Sequence, residues 1–175
     1  MMINNGNDAS QCYLTEVIKR LESEGFSVNP NTVYKNQVFQ YTANKTNFEL
    51  GMYGFIDTFF SFATFLSIDS ETLKEYSSQS FEYARKASRP PLPRGLFKSI
   101  ICFPVVVVNS LEEKVSEDLL TKNPPKHWAA FEMPVVYSTS TKILHYCETT
   151  PTWGKWYYDQ LRAMILAMLS PADTE

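Results

Sequence analysis

The chain has 175 residues, a formal net charge of −3, a hydrophobic fraction of 44% and an aromatic fraction of 14%. A chain of this length buries roughly 70% of its unfolded surface on folding, so it needs no disulfide or metal to hold it, and extended disorder is not expected except at the termini. Acidic and basic residues are intermixed, which argues against a polyanion binder and against nucleic acid as the partner. Cys12, Cys102 and Cys147 are far apart and odd in number, with no C-x-x-C pair. A disulfide framework, a structural zinc site and a bound cofactor are therefore not expected, and a reducing, cytoplasmic setting is. MMINNGNDAS lacks a secretory pattern, and IICFPVVVV falls short of the ~20 apolar residues that span a bilayer, so no membrane role is expected.

Asp8 or Ser10 is placed to cap a first helix in which Leu14, Val17, Ile18 and Leu21 recur at helical spacing and Gly25 stops the run. FSV, TVYKNQVFQYTA and NFELGMYGF follow, rich in β-branched and aromatic residues and separated by the turn chemistry of NPN and NKTN. They predict a meander of antiparallel strands. From 48 to 65, even positions are apolar (Phe48, Leu50, Met52, Ile56, Phe60, Phe62), while the odd ones include Glu49, Tyr53, Asp57 and Ser61. Period two puts Asp57 on a mixed face, with Gly51 and Gly54 marking a bulge or bend.

DSETLKEYSSQSFEYARKAS carries capping chemistry at Asp69 or Ser70, a stripe of Leu73, Tyr76, Ser80 and Ala84, and basic residues at its end, which predict a second helix. RPPLPRG excludes regular structure. SIICFPVVVV reads as a central strand with a bulge or local edge at Pro104, and SLEEKVSEDLLTKN as a short solvated helix. HWAAFEMPVVY and KILHYCE flank STST as a hairpin, and TPTWGKWYYDQLRAMILAML closes the chain as a long helix. Tyr157, Leu161, Met164, Ile165 and Met168 form its expected core stripe, widened by Trp153, Trp156, Ala163 and Ala167.

The order helix, three strands, helix, strand, two strands, helix predicts one α+β domain over residues 1–175, with 1–8 and 171–175 as flexible ends. Its sheet is expected to be mainly antiparallel, of about five to six strands, with helices packed on it. A similar order occurs in bacterial type III secretion chaperones. The first half also resembles restriction-endonuclease-like nucleases in its order of elements. Those enzymes place an acid-x-Lys on a strand beside a second acidic residue to hold a divalent metal. Here the only Glu-x-Lys, Glu112 to Lys114, falls in the polar helical segment, a departure that counts against a nuclease.

Two groups of residues could carry chemistry. Asp57 stands among seven aromatic rings between 48 and 65. A carboxylate there is either functional or a structural group hydrogen-bonded by Thr58 or nearby backbone N–H groups, and the second is expected. Pairing the last hairpin around STST sets Tyr137 opposite Lys142, Pro134 opposite His145 and Glu132 opposite Cys147, so that Glu132, His145 and Cys147 share a face. Such a trio suits a metal or an activated thiol, whereas solvated and buried structural roles explain the same residues more simply. His127 is the chain's other histidine.

Arg85, Lys86, Arg89, Arg94 and Lys98 form an acid-free basic run, a candidate anion site or a solvated face. Trp153, Trp156, Met164 and Met168 are candidate partner-binding residues. No nucleophile elbow, Walker loop, zincin or dinucleotide motif is present. The expected function is thus a non-catalytic, chaperone-like interaction domain, homodimeric, binding another polypeptide through an aromatic and Met-rich surface. The alternative is a small hydrolase-like or metal-assisted enzyme built on Asp57 or on the Glu132, His145 and Cys147 face.

Overall fold

A computed structural model describes residues 5–49, 54–89, 97–150 and 155–171. Helix α1 (Asn5–Ser23) leads into strands β1 (Ser27–Tyr34), β2 (Gln37–Glu49) and β3 (Gly54–Phe65). Then come α2 (Ser70–Ala87), β4 (Lys98–Val108), α3 (Glu113–Thr121), the short strands β5 (Lys126–His127), β6 (Ala130–Glu132), β7 (Val135–Ser138) and β8 (Ile143–Tyr146), and α4 (Lys155–Leu169). Asp8 and Ser10 lie inside α1 rather than capping it, because the helix already begins at Asn5. Thus 5–8, expected to be a flexible end, are helical, and 1–4 and 172–175 lie outside the described residues. The RPPLPRG connection does too, from 90 to 96.

The eight strands form one mixed sheet of the expected α+β class. β1, β2 and β3 make the predicted antiparallel meander, with Pro30 harmlessly on edge strand β1. α2 then carries the chain over the sheet, so β4 pairs parallel to β3, from Phe55 opposite Lys98 to Phe65 opposite Val108. On its other side β4 pairs parallel with β6 through Ile100–Cys102 and with β7 through Val105–Val108. The gap between these two ladders falls at Pro104 and Pro134, which have no N–H to contribute. β6 and β7 thus occupy one row in two pieces, with β5 and β8 outside them as antiparallel partners.

Parallel central strands are covered on both faces, which accounts for the unbroken apolar run in β4. α1 and α4 cover one face: Leu14, Val17, Leu21, Leu161, Ile165 and Leu169 pack on Phe60, Phe62, Phe103, Val105 and Val107. α2 and α3 cover the other, where Leu73, Tyr76 and Val115 meet Phe39, Ala63, Val106 and Val108. Asp57 points to this second side, so its mixed face is buried beneath α2 rather than open.

Helix ends are well tied. The Asp69 carboxylate accepts the Thr72 N–H at 2.7 Å and starts α2, and this bond holds the Asp69 carboxyl below the usual carboxylate range. The Tyr13 hydroxyl donates to Leu169 O at 2.8 Å, and Arg20 donates to Met168 O and Ser170 O, so α1 satisfies the last carbonyls of α4. The stripe that α4 buries is Tyr158, Leu161, Ile165 and Leu169, about one residue round from the expected stripe. Tyr157, Met164 and Met168 flank it, half-buried.

The β7–β8 hairpin also differs from the expected pairing. Val136 is opposite His145 and Ser138 opposite Ile143, so the loop is 139–142 rather than 138–141. Lys142 adopts φ 58° in that loop, a left-handed conformation that nothing in the sequence advertises. The register shifts by two residues, and β6 leaves the hairpin altogether to lie against Cys102 of β4.

Candidate functional site

Two carboxylates are buried under α2, Asp57 at 1% and Glu132 at 4% exposure, and the chain treats them differently. Asp57 pairs across the sheet with Thr46 on β2, and its parallel register with Ile100 leaves Lys98 diagonally adjacent on β4. The Lys98 ammonium lies 2.9 Å from Asp57 Oδ2, with both side chains almost fully buried. Thr46 donates to Oδ1 at 2.6 Å, and the Ser88 hydroxyl at the end of α2 donates to Oδ2. Asp57 is therefore held by side chains from β2, β4 and α2, rather than by Thr58 or local N–H groups as expected. This removes Lys98 from the basic run as an anion receptor. Arg85, Lys86 and Arg89 are exposed on or just beyond α2, and Arg94 lies outside the described residues. Lys86 Nζ stands 5.5 Å from the centre of the Tyr34 ring, in cation–π range.

Glu132 ends β6. A two-residue turn, Trp128–Ala129, joins β5 to β6 and sets His127 opposite Ala130, which brings His127 diagonally next to Glu132. The His127 Nε2 to Glu132 Oε2 distance is 2.7 Å, and the imidazole stacks on Phe81 of α2 with ring centres 3.8 Å apart. Ser77, also on α2, donates its hydroxyl to Glu132 Oε1. The order Ser–Glu–His puts the acid in the middle. In a nucleophilic triad the imidazole stands between hydroxyl and carboxylate, so Ser77, which meets the carboxylate directly, does not form such a triad.

Glu132 and Ser77 line a cleft of about 380 Å³ between α2, α3 and the 123–125 segment, within the size range of small-molecule sites. Leu73, Val115, Leu119, Pro124 and Pro134 supply apolar walls, and Cys147 closes one side. Cys147 is buried, its sulfur 3.3 Å from Thr149 Oγ1. The Cys102 thiol, opposite Glu132, is pushed well above its usual range by burial and then by the Glu132 carboxylate, so it stays a neutral thiol.

His145 stands apart from this cleft's lining residues. It hydrogen-bonds Ser116 of α3 through Nδ1 at 2.8 Å, and burial lowers its pKa. The expected trio is thus divided: Glu132 and Cys147 line one cleft, while His145 faces Ser116 and His127 takes its place beside Glu132. Among the described residues no group of three His, Cys, Asp or Glu side chains is placed to hold a metal ion.

The partner-binding candidates separate in the same way. Trp156 is 60% exposed and, with Met164, lines a shallow groove between α4 and the sheet that also includes Ile56, Ile101 and Phe131. Met168 packs against the core, and Trp153 lies outside the described residues. Leu166, 49% exposed, is an outward apolar residue of α4 that the core-stripe reading passed over. Its offset of ten residues from Trp156 sets the two about 80° apart around the helix. Among the described residues no helix is long and apolar enough to cross a membrane. In comparisons with protein-family models, curated proteins and solved structures, nothing matches this chain.

Proposed function

We propose that the chain is a non-catalytic interaction protein that binds another polypeptide, in the first instance a second copy of itself, through the outer face of α4. The observation that carries this reading is a set of exposed apolar residues on the side of α4 away from its core stripe. Tyr158, Leu161, Ile165 and Leu169 face the core, while the exposed side of α4 carries Trp156, Ala163, Leu166 and Ala167 over an arc of about 100°, with the exposed Asp159 among them and Gln160 beside them. Alanines on such a face permit close helix approach, and Trp156 is the kind of large ring that anchors an interface. A self-complementary helix face packed about a two-fold axis is the simplest closed use of it.

The enzyme alternative is less supported by the side-chain arrangement. Asp57 is neutralised by its own buried lysine, the Cys147 thiol is covered, and Ser77 meets a carboxylate rather than an imidazole. Light scattering on a sizing column at micromolar concentration should give twice the chain mass, and Leu166→Glu should halve it while leaving the far-ultraviolet circular dichroism unchanged. A monomer mass for the unmodified protein overturns the reading.

A further inference from the structure

The two buried carboxylates differ in one respect that points to a ligand. Asp57 has a permanent cation, Lys98, at 2.9 Å. Among the described residues, Glu132 has a neutral hydroxyl, Ser77, and an imidazole, His127, that is a cation only when protonated. An ionised carboxylate that is 4% exposed and lacks a fixed counter-ion is costly to bury. Its position at the floor of an apolar cleft of about 380 Å³ offers a way to offset that cost.

We propose that the cleft between α2 and α3 binds a small organic cation, an ammonium or amidinium on an apolar body, with Glu132 as its counter-ion. An ionised carboxylate offers about four acceptor positions. Ser77 and His127 approach from α2 and β5, one on each oxygen, and fix the plane of the group as the supporting shell of a binding site must. The apolar body meets Leu73, Val115, Leu119 and Pro124, whose low polarity strengthens the ion pair at the floor. Charge at the mouth is mixed. Lys122 is already paired with Asp118 at 2.7 Å, and Lys74 is exposed, so its repulsion is screened by solvent and salt. This site lies on the side of the sheet opposite α4, so it stands or falls independently of the proposed self-association.

The test uses the full chain, isotope-labelled, titrated with phenethylamine and with its neutral counterpart 2-phenylethanol while backbone amide resonances are followed. Phenethylamine should shift the amides of Ser77, Leu119, Glu132 and Cys147 and bind at least about tenfold more tightly than the alcohol, the advantage expected of a charge-assisted bond. Glu132→Gln should erase that preference and leave the alcohol's affinity unchanged. Leu119→Trp, which fills the cleft without touching the carboxylate, should abolish binding of both probes and supplies the answer should Glu132→Gln not fold. Equal affinities for the two probes, a preference that survives Glu132→Gln, or no shifts in these amides at about 10 mM amine would each overturn the proposal.

Discussion

Replacing Asp57 by alanine removes one half of an ion pair whose other half cannot reach water. Lys98 is 4% exposed, with its ammonium 2.9 Å from the carboxylate, and the Thr46 and Ser88 hydroxyls lose their acceptor at the same time. Hydrogen bonds alone would put the cost at about 1–3 kcal/mol, but breaking a buried ion pair raises it to about 3–5 kcal/mol. At this chain length 1 kcal/mol moves the melting temperature by about 2–4 °C, so a fall of roughly 6–20 °C is expected. Asp57→Asn keeps the shape and an acceptor yet still removes the negative charge beside the ammonium, so it should lose most of the same stability. The double change Asp57→Leu with Lys98→Met removes both charges, and it should recover more than half of the loss although the two hydroxyls remain unsatisfied. Urea melts of these proteins and of the single variants Asp57→Leu and Lys98→Met, fitted with a common slope, measure these differences. A wild-type midpoint for Asp57→Ala, or a double variant whose loss equals the sum of its parts, would refute the reasoning.

Gly54 enters β3 against the backbone of Phe97, and a Cβ there would lie 2.8 Å from Phe97 O and 2.9 Å from its carbonyl carbon. Gly54→Ala should therefore destabilise the protein by about 1–3 kcal/mol in the same urea assay, and an unchanged midpoint would contradict the close approach. Burial lowers the pKa of His145, so the folded state holds it neutral where the unfolded chain protonates it. Below the unfolded value of about 6.5 the unfolded state binds more protons, so stability should fall as pH drops from there towards the folded value and level off beneath it. In His145→Gln that part of the pH dependence should flatten, as followed by melts between about pH 4.5 and 7.5; an unaltered slope would remove the assignment.

Local chemistry was legible in α2, though not at the start of α1, where the helix begins ahead of the expected Asp8 or Ser10 cap. The Asp69 cap and the Leu73, Tyr76, Ser80 and Ala84 stripe of α2 are where helical spacing puts them, because a cap and its N–H groups lie within one turn. The meander, the apolar β4 and the class of the fold follow equally from period, composition and turn residues. The site residues did not, because their partners arrive from other elements. Lys98 meets Asp57 only through the register of two parallel strands separated by a whole crossover helix, and no local pattern records that register.

The last hairpin slid by two residues because both candidate loops share Thr139, Ser140 and Thr141, and the one adopted depends on a left-handed Lys142. His127 came to Glu132 through a Trp128–Ala129 turn that holds Ala129 at φ 50° without glycine or asparagine to signal it. α4 shows the same division on a smaller scale. Its amphipathic period was present in the sequence, but which of two apolar faces became core was decided by α1, whose Tyr13 and Arg20 fix the helix end and with it the helix's rotation over the sheet. The sequence by itself determined which segments became helices and strands, since propensity and period act within a few residues. Only the tertiary structure decided which carboxylate received a lysine and which was left at the floor of a cleft, since burial and charge pairing depend on elements that meet only after the chain has folded.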